Sequence, residues 1–416
     1  MKNWKIKASL FLNYFVFAIL LNSVGTVILQ VQNNYGISQG SASVLEAFKD
    51  FSIAIVSFLL SSYITRIGYK NAMLIALGFI TVVCCIMPFT AGFGATKLLF
   101  AAVGASFALI KMSVYSTIGL VTKNEKEHIS LMNFIESFFM VGILTGYFIF
   151  SSFVDNNNPH STEWLKVYYL LGAISLLAFI LLLTAPLDES SIKNQQPTSL
   201  ASDFLQMFKL MVSPIVLIFV FCAFFYVLIE QSIMSWLPTF NNKVLLLPAA
   251  LSIQMASILA GSTALGRFLA GVLLKKMNWF LVLASCLVLA AALVLIAIPL
   301  AQKVSGEPIT GWGNAPIAAF IFPLIGLLIA PIYPAVNSII LSTLPVQKHG
   351  AMSGLIIIFS ALGGTTGSII TGHIFESYGG QKAFYFSLIP MAILITCLFI
   401  FKQLQNKFKA ANPGHQ

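Results

Sequence analysis

The chain has 416 residues, of which 58% are hydrophobic and only 9% charged, too little polar surface to cover a water-soluble globule of that length. This composition excludes a soluble enzyme and predicts an all-α integral membrane protein with lipid as its solvent. The formal net charge of +10 comes from basic residues scattered through short connections, never from a long run, which argues against a nucleic-acid partner and marks them as topology signals.

A spanning helix needs about 20 mainly apolar residues. Such stretches fall at 8–30, 44–65, 72–91, 97–121, 130–153 and 165–185 and, after a polar stretch, at 211–238, 250–272, 278–300, 313–341, 349–373 and 382–403. The pattern predicts twelve transmembrane helices in two six-helix pseudo-repeats: an N-terminal bundle over 1–185, a cytoplasmic linker over 186–210 and a C-terminal bundle over 211–416. The first apolar stretch is too long for a signal-peptide core and lacks a small-residue cleavage pattern, so it is read as a retained anchor. Cys84, Cys85, Cys222, Cys286 and Cys397 lie inside apolar stretches without metal-ligand spacing, as small core or lipid-facing residues do.

With the N-terminus inside, fifteen Lys and Arg residues fall in inner connections and tails, among them Lys2, Arg66, Lys70, Lys123, Lys126, Lys193, Lys275 and Lys276. Only five, Lys97, Lys166, Lys243, Lys303 and Lys382, fall outside. Because cytoplasmic loops collect basic residues, both termini are expected in the cytoplasm and the protein in a cell's inner (plasma) membrane.

A charge within the hydrocarbon costs at least about 2.5–3.5 kcal/mol, so each ionisable residue inside a span is a candidate for function. In the second span Glu46, Lys49 and Asp50 share one helix face by their i, i+3, i+4 spacing. They form either a coupling or gating cluster or a self-neutralised patch at the water boundary. Lys111 in the fourth span and Glu136 in the fifth are expected at matching depth, about 9 Å above the inner boundary, and hence as a buried ion pair. Glu230 in the seventh span matches Lys49 in depth on the opposite half, which predicts either a gating bridge between them when the outer mouth closes or a purely structural Glu230. Arg267 is expected at the inner end of the eighth span as an anchor beside Lys275 and Lys276.

A polar solute is held by paired donors and acceptors between aromatic faces. Asn22 and Gln30 in the first span, Ser113 and Tyr115 in the fourth, Asn133 in the fifth, Gln231 in the seventh and Asn337 in the tenth can supply these, or can pack helices. Pro323, Pro331 and Pro334 interrupt the tenth span as a hinge or a packed kink. The GGTTG run at Gly363 to Gly367 lies within a span, where small residues let helices approach. No phosphate-cradling loop, zinc-binding helix motif or nucleotide-binding domain is visible, so no catalytic residue, metal or cofactor is predicted.

The two halves repeat weakly. SSYITRIGYK from Ser61 and GVLLKKMN from Gly271 follow the second and eighth spans, 210 residues apart, and parallel six-helix repeats are a recurrent transporter architecture. Both segments resemble the loop signature of the major facilitator superfamily, with Arg66, Gly68 and Lys70 in place and Thr65 standing where the family has an acid. MNFIESFFMVG (Met132 to Gly142), with Asn133, Glu136, Phe138 and Gly142, is similar to the fifth helix of its fucose-galactose-glucose proton symporter branch. YVLIEQSIMSWLPTF (Tyr226 to Phe240), with Glu230, and the tenth span with Pro331, Tyr333 and Pro334 are similar to that branch too, within it most to the TsgA-type transporters. The resemblance implies that spans 1, 4, 7 and 10 line the solute cavity. The branch's acids of helices 1 and 4 fall near Gly25 and near Lys111 to Met112, neither of them acidic.

Together these observations predict a secondary active transporter that moves a small, sugar-like solute by alternating access, coupled to a proton or sodium gradient, with the lipid bilayer as its other partner. The alternatives are an exporter of toxic amphiphiles and a transporter-like sensor that binds without moving solute.

Overall fold

The computed structural model describes residues 4–61, 64–122, 125–189, 200–274, 276–301, 309–344 and 348–411. Among them every regular element is a helix. In hydrocarbon an unsatisfied backbone polar group costs several kcal/mol, and a helix satisfies its own within one segment.

The spans are α1 (Trp4–Asn22, continued after a turn at Ser23 by Val24–Tyr35), α2 (Val44–Ser61), α3 (Tyr69–Ile86), α4 (Phe93–Val121), α5 (Glu125–Ser152) and α6 (Val167–Thr184). They continue with α7 (Pro214–Met234), α8 (Ala249–Leu273), α9 (Trp279–Leu300), α10 (Ala318–Leu341), α11 (His349–Tyr378) and α12 (Leu388–Ala411). Among the described residues eleven spans are long and apolar enough to cross a bilayer. The twelfth is α2, an 18-residue helix that carries Glu46, Lys49 and Asp50. Large apolar side chains such as Leu98, Phe268 and Ile296 stand exposed, and only lipid can cover them at this density.

By contacts the chain forms two compact units, Met1–Ile37 with Val44–Leu200 and Ser38–Ser43 with Ala201–Gln416. In the first, α4 packs on α2 and α3, while α1 packs on α5 and α6. In the second, α7 packs on α11 and α12, α8 on α10, and α9 on α10 and α12. The GGTTG run explains the α7–α11 contact. A Cβ at Gly363 or Gly367 would run into the carbonyl oxygen of Phe224 or Leu228, so only glycine lets the two backbones come this close.

One element differs from the sequence reading. The stretch expected as a linker contains a helix, Leu200–Met211, because Met207 and Leu210 are buried along one face while Leu205, Phe208 and Lys209 point outward. The tenth span is broken into Ala318–Ile321, Phe322–Leu324, Ile325–Ile329 and Ile332–Thr343, with Pro323 and Pro331 at the breaks, where proline cannot donate to the preceding turn. Ser62 and Tyr63 of the loop motif, and the basic residues Lys2, Lys123, Lys193, Lys275 and Lys303, lie outside the described residues.

Candidate functional site

In the first unit, Phe107, Lys111 and Tyr115 on α4 are spaced by four and so share one face. That face meets Tyr14 of α1 and Phe139 and Glu136 of α5. Tyr14 is buried, and its ring lies 6.1 Å from Tyr115, 5.7 Å from Phe139 and 6.5 Å from Phe107, centroid to centroid. The Tyr115 hydroxyl donates to Glu136 Oε1 at 2.7 Å. The Lys111 side chain is exposed, with its ammonium 5.9 Å from the centre of the Phe107 ring.

The buried Lys111–Glu136 pair expected from matching depth is therefore not formed. Among the described residues no carboxylate lies within 4.0 Å of the Lys111 ammonium. Tyr115, one turn further along α4, reaches Glu136 instead.

On α2 the three charges form a compact, buried group. Lys49 pairs with Glu46, and its ammonium stands 3.4 Å from Asp50 Oδ1. Glu46, Lys49 and Asp50 are 0%, 6% and 8% exposed, so the cluster is buried and does not snorkel into water.

In the second unit, the Tyr226 hydroxyl donates to Glu230 Oε1 at 2.8 Å, one turn along α7. The same oxygen stands 4.0 Å from the Arg267 guanidinium on α8. Tyr226 stacks on Tyr333 of α10, centroids 5.3 Å apart and planes 21° from parallel. The Tyr333 hydroxyl shares a 2.9 Å hydrogen bond with Ser360 of α11. Within its own unit Lys49 is held by acids of its own helix, and within the other Glu230 is held by Tyr226 and Arg267. One expectation is corrected here. Arg267 is a partner of Glu230 and not an anchor beside Lys276.

The two units thus repeat one arrangement. A buried tyrosine on the first helix of each half, Tyr14 or Tyr226, lies against a half-buried tyrosine on the fourth, Tyr115 or Tyr333. The hydroxyl of that second tyrosine bonds a residue of the fifth, Glu136 or Ser360. Sequence reasoning named Tyr115 as a ligand but missed Tyr14, Tyr226 and Ser360 in this role. The signal was available: Tyr14 to Tyr226 is 212 residues and Tyr115 to Tyr333 is 218, close to the 210-residue offset of the loop motif.

The other candidates are scattered. Asn22 donates to the Ala18 carbonyl at 2.9 Å and borders a small cleft with Ser23, Thr26 and Tyr147. Gln30 and Ser113 are fully buried, with Gln30 Nε2 and Ser113 Oγ lacking a hydrogen-bond partner. Gln231 accepts from the Ser235 hydroxyl at 3.1 Å. The side chain of Asn133 lies outside the described ones.

In the loop between α2 and α3 an acid from elsewhere in the chain caps α3. Gly68 has φ +83°, a conformation that glycine alone adopts without strain. It places the Lys70 N–H, at the start of α3, 2.9 Å from Glu189 Oε1, while the Lys70 ammonium donates to the carbonyls of Leu183 and Ala185 at 3.1 and 2.7 Å. The carboxylate that caps the N-terminus of α3 thus arrives from the chain following α6.

Comparison with known proteins agrees with this architecture. No curated protein matches the sequence. The nucleoside transporter NupG is 14% identical, with a TM-score of 0.73 over 96% of this chain and 98% of that one. The inward-open xylose transporter XylE from E. coli is 13% identical, with a TM-score of 0.73 over 95% of each chain. FucP in its outward conformation is 17% identical, with a TM-score of 0.60 over 96% and 98% of the two chains. Residues 10–368 match the family described as the Major Facilitator Superfamily, and the chain belongs to that family of multi-pass membrane transporters.

Proposed function

We propose that the protein is a secondary active transporter that moves a small polar solute, sugar-like in size, by alternating access. The observation that carries this reading is the repeated tyrosine arrangement. Each unit holds a tyrosine pair on its first and fourth helices, with a carboxylate and a cation beside it: Glu136 and Lys111 in the first, Glu230 and Arg267 in the second. Aromatic faces flanked by hydrogen-bonding groups suit a solute with both apolar and polar surfaces, and ionisable groups within a span are costly, which marks them as functional candidates.

The fold neighbours named for nucleosides and xylose favour a solute of that size. Glu136, Glu230 and Asp50 are the carboxylates through which a proton or sodium gradient would act. The membrane is a cell's inner (plasma) membrane with both termini cytoplasmic, as the distribution of basic residues favours. Purified protein in proteoliposomes should show saturable counterflow of labelled solute across a panel of sugars, nucleosides and organic acids. Saturable binding without exchange would identify a sensor and sink the proposal, and exchange confined to lipophilic cations would identify an amphiphile exporter.

A further inference from the structure

We infer that Lys111 anchors a negatively charged group of the transported solute, which makes the substrate a small organic anion; this rests on the transport reading above and names its substrate class. Lys111 lies 18 residues after the start of α4 and 10 before its end, about 27 and 15 Å along the helix axis, deep within the span. Its side chain is nevertheless exposed. The face that carries it cannot be the lipid face, because its neighbours one turn away on either side, Phe107 and Tyr115, contact Tyr14, Phe139 and Glu136 of the bundle. A charged side chain on the bundle side of a span, exposed but deep, belongs to a water-filled path.

Charge accounting separates Lys111 from Lys49 and Arg267, the other cations set among the candidate charges of the spans. Lys49 is held by Glu46 and Asp50, and Arg267 stands beside Glu230. Among the described residues Lys111 has no carboxylate at ion-pair distance, since Glu136 is engaged by Tyr115. An ammonium has three donors and no acceptor, and its hydrogen bonds to an anion are about twice as strong as those between neutral groups. The Phe107 ring beside it, 5.9 Å from the ammonium and itself against Phe139, offers a packing surface for the organic body of the solute. A neutral sugar would leave the ammonium without a charged partner at ion-pair distance, whereas a carboxylate supplies one.

Thermal stability of the purified protein at low ionic strength tests this with matched probes: glucuronate against glucose, benzoate against benzamide. At least one anion should stabilise the protein while its neutral counterpart does not. Lys111→Gln should weaken that anion about tenfold or more, and Lys111→Arg should retain it. Stabilisation by the neutral member of a pair to the same degree, unchanged anion affinity in Lys111→Gln, or no response to any anion each overturns the inference. If Lys111→Gln does not fold, Lys111→Cys modified with a cationic or an anionic methanethiosulfonate replaces it, and anion binding must return only with the cation. Counterflow separates the two readings. Lys111-dependent binding without exchange removes transport and leaves the anion site, while exchange of glucose unaffected by Lys111→Gln does the reverse.

Discussion

Glu189, after α6, accepts the backbone N–H of Lys70, at the first turn of α3, across 2.9 Å. A carboxylate at a helix N-terminus satisfies an orphan donor and interacts favourably with the helix dipole. Glu189→Ala should therefore cost about 0.5–2 kcal/mol of stability. Gly68→Ala should cost more, because its φ is positive and a Cβ there would stand 2.7 Å from Glu189 Oε2. Part of that cost is the clash and part the backbone conformation, so the double variant should lose less than the sum of the singles. Strict additivity in denaturant titrations of the three variants would show that Gly68 and Glu189 do not touch.

Tyr115 and Glu136 provide the second test. Tyr115→Phe removes the hydroxyl that donates to Glu136, and the loss of a hydrogen bond to a charged group should cost about 1.5–3 kcal/mol. Glu136→Gln keeps an acceptor for Tyr115 and should cost less than about 1.5 kcal/mol, since Lys111 does not depend on Glu136 at ion-pair distance. A loss of about 3–5 kcal/mol in Glu136→Gln, the size expected on breaking a buried pair, would instead restore the Lys111–Glu136 pair.

These outcomes show what the sequence makes legible. The helical architecture and the paired six-helix order are written in apolar run length, because hydrocarbon thickness sets it. Candidate charges are legible for the same reason: Glu46, Lys49, Asp50, Lys111, Glu136, Glu230 and Arg267 stand out in apolar surroundings. Partner choice is not. Depth along a helix places Lys111 level with Glu136, but pairing depends on rotation about each helix axis. Tyr115, one turn along α4 from Lys111, is the side chain that meets Glu136. The helix at Leu200–Met211 escaped a search for spans because it is short and one-sided.

Glu230 and Arg267 predict a split between stability and transport. Their contact is 4.0 Å and both side chains are partly exposed, 20% and 39%, a setting in which ion pairs contribute about 0–1 kcal/mol. Glu230→Gln and Arg267→Gln should each change stability by less than about 1 kcal/mol, while solute exchange in proteoliposomes falls sharply in both. Wild-type exchange in both variants would remove this pair from the transport machinery.

The charge group of α2 makes the sharpest prediction, because one ammonium stands beside two carboxylates of the same helix. Two carboxylates share one ammonium, and all three side chains are buried. Lys49→Met would leave Glu46 and Asp50 close together without their cation, and removing one partner from a buried pair costs about 3–5 kcal/mol. Asp50→Asn is the opposite case. It leaves one cation and one anion, keeps a polar side chain near Lys49, and gives up the longer of the two contacts, so it should cost no more than about 1.5 kcal/mol, the worth of an ordinary hydrogen bond. The combination Lys49→Met with Asp50→Asn should then recover part of the loss seen in Lys49→Met, because only one carboxylate is left without the ammonium. Unfolding free energies of the three variants in mixed micelles decide it. If Asp50→Asn destabilises as much as Lys49→Met, the ammonium is shared equally between the two acids.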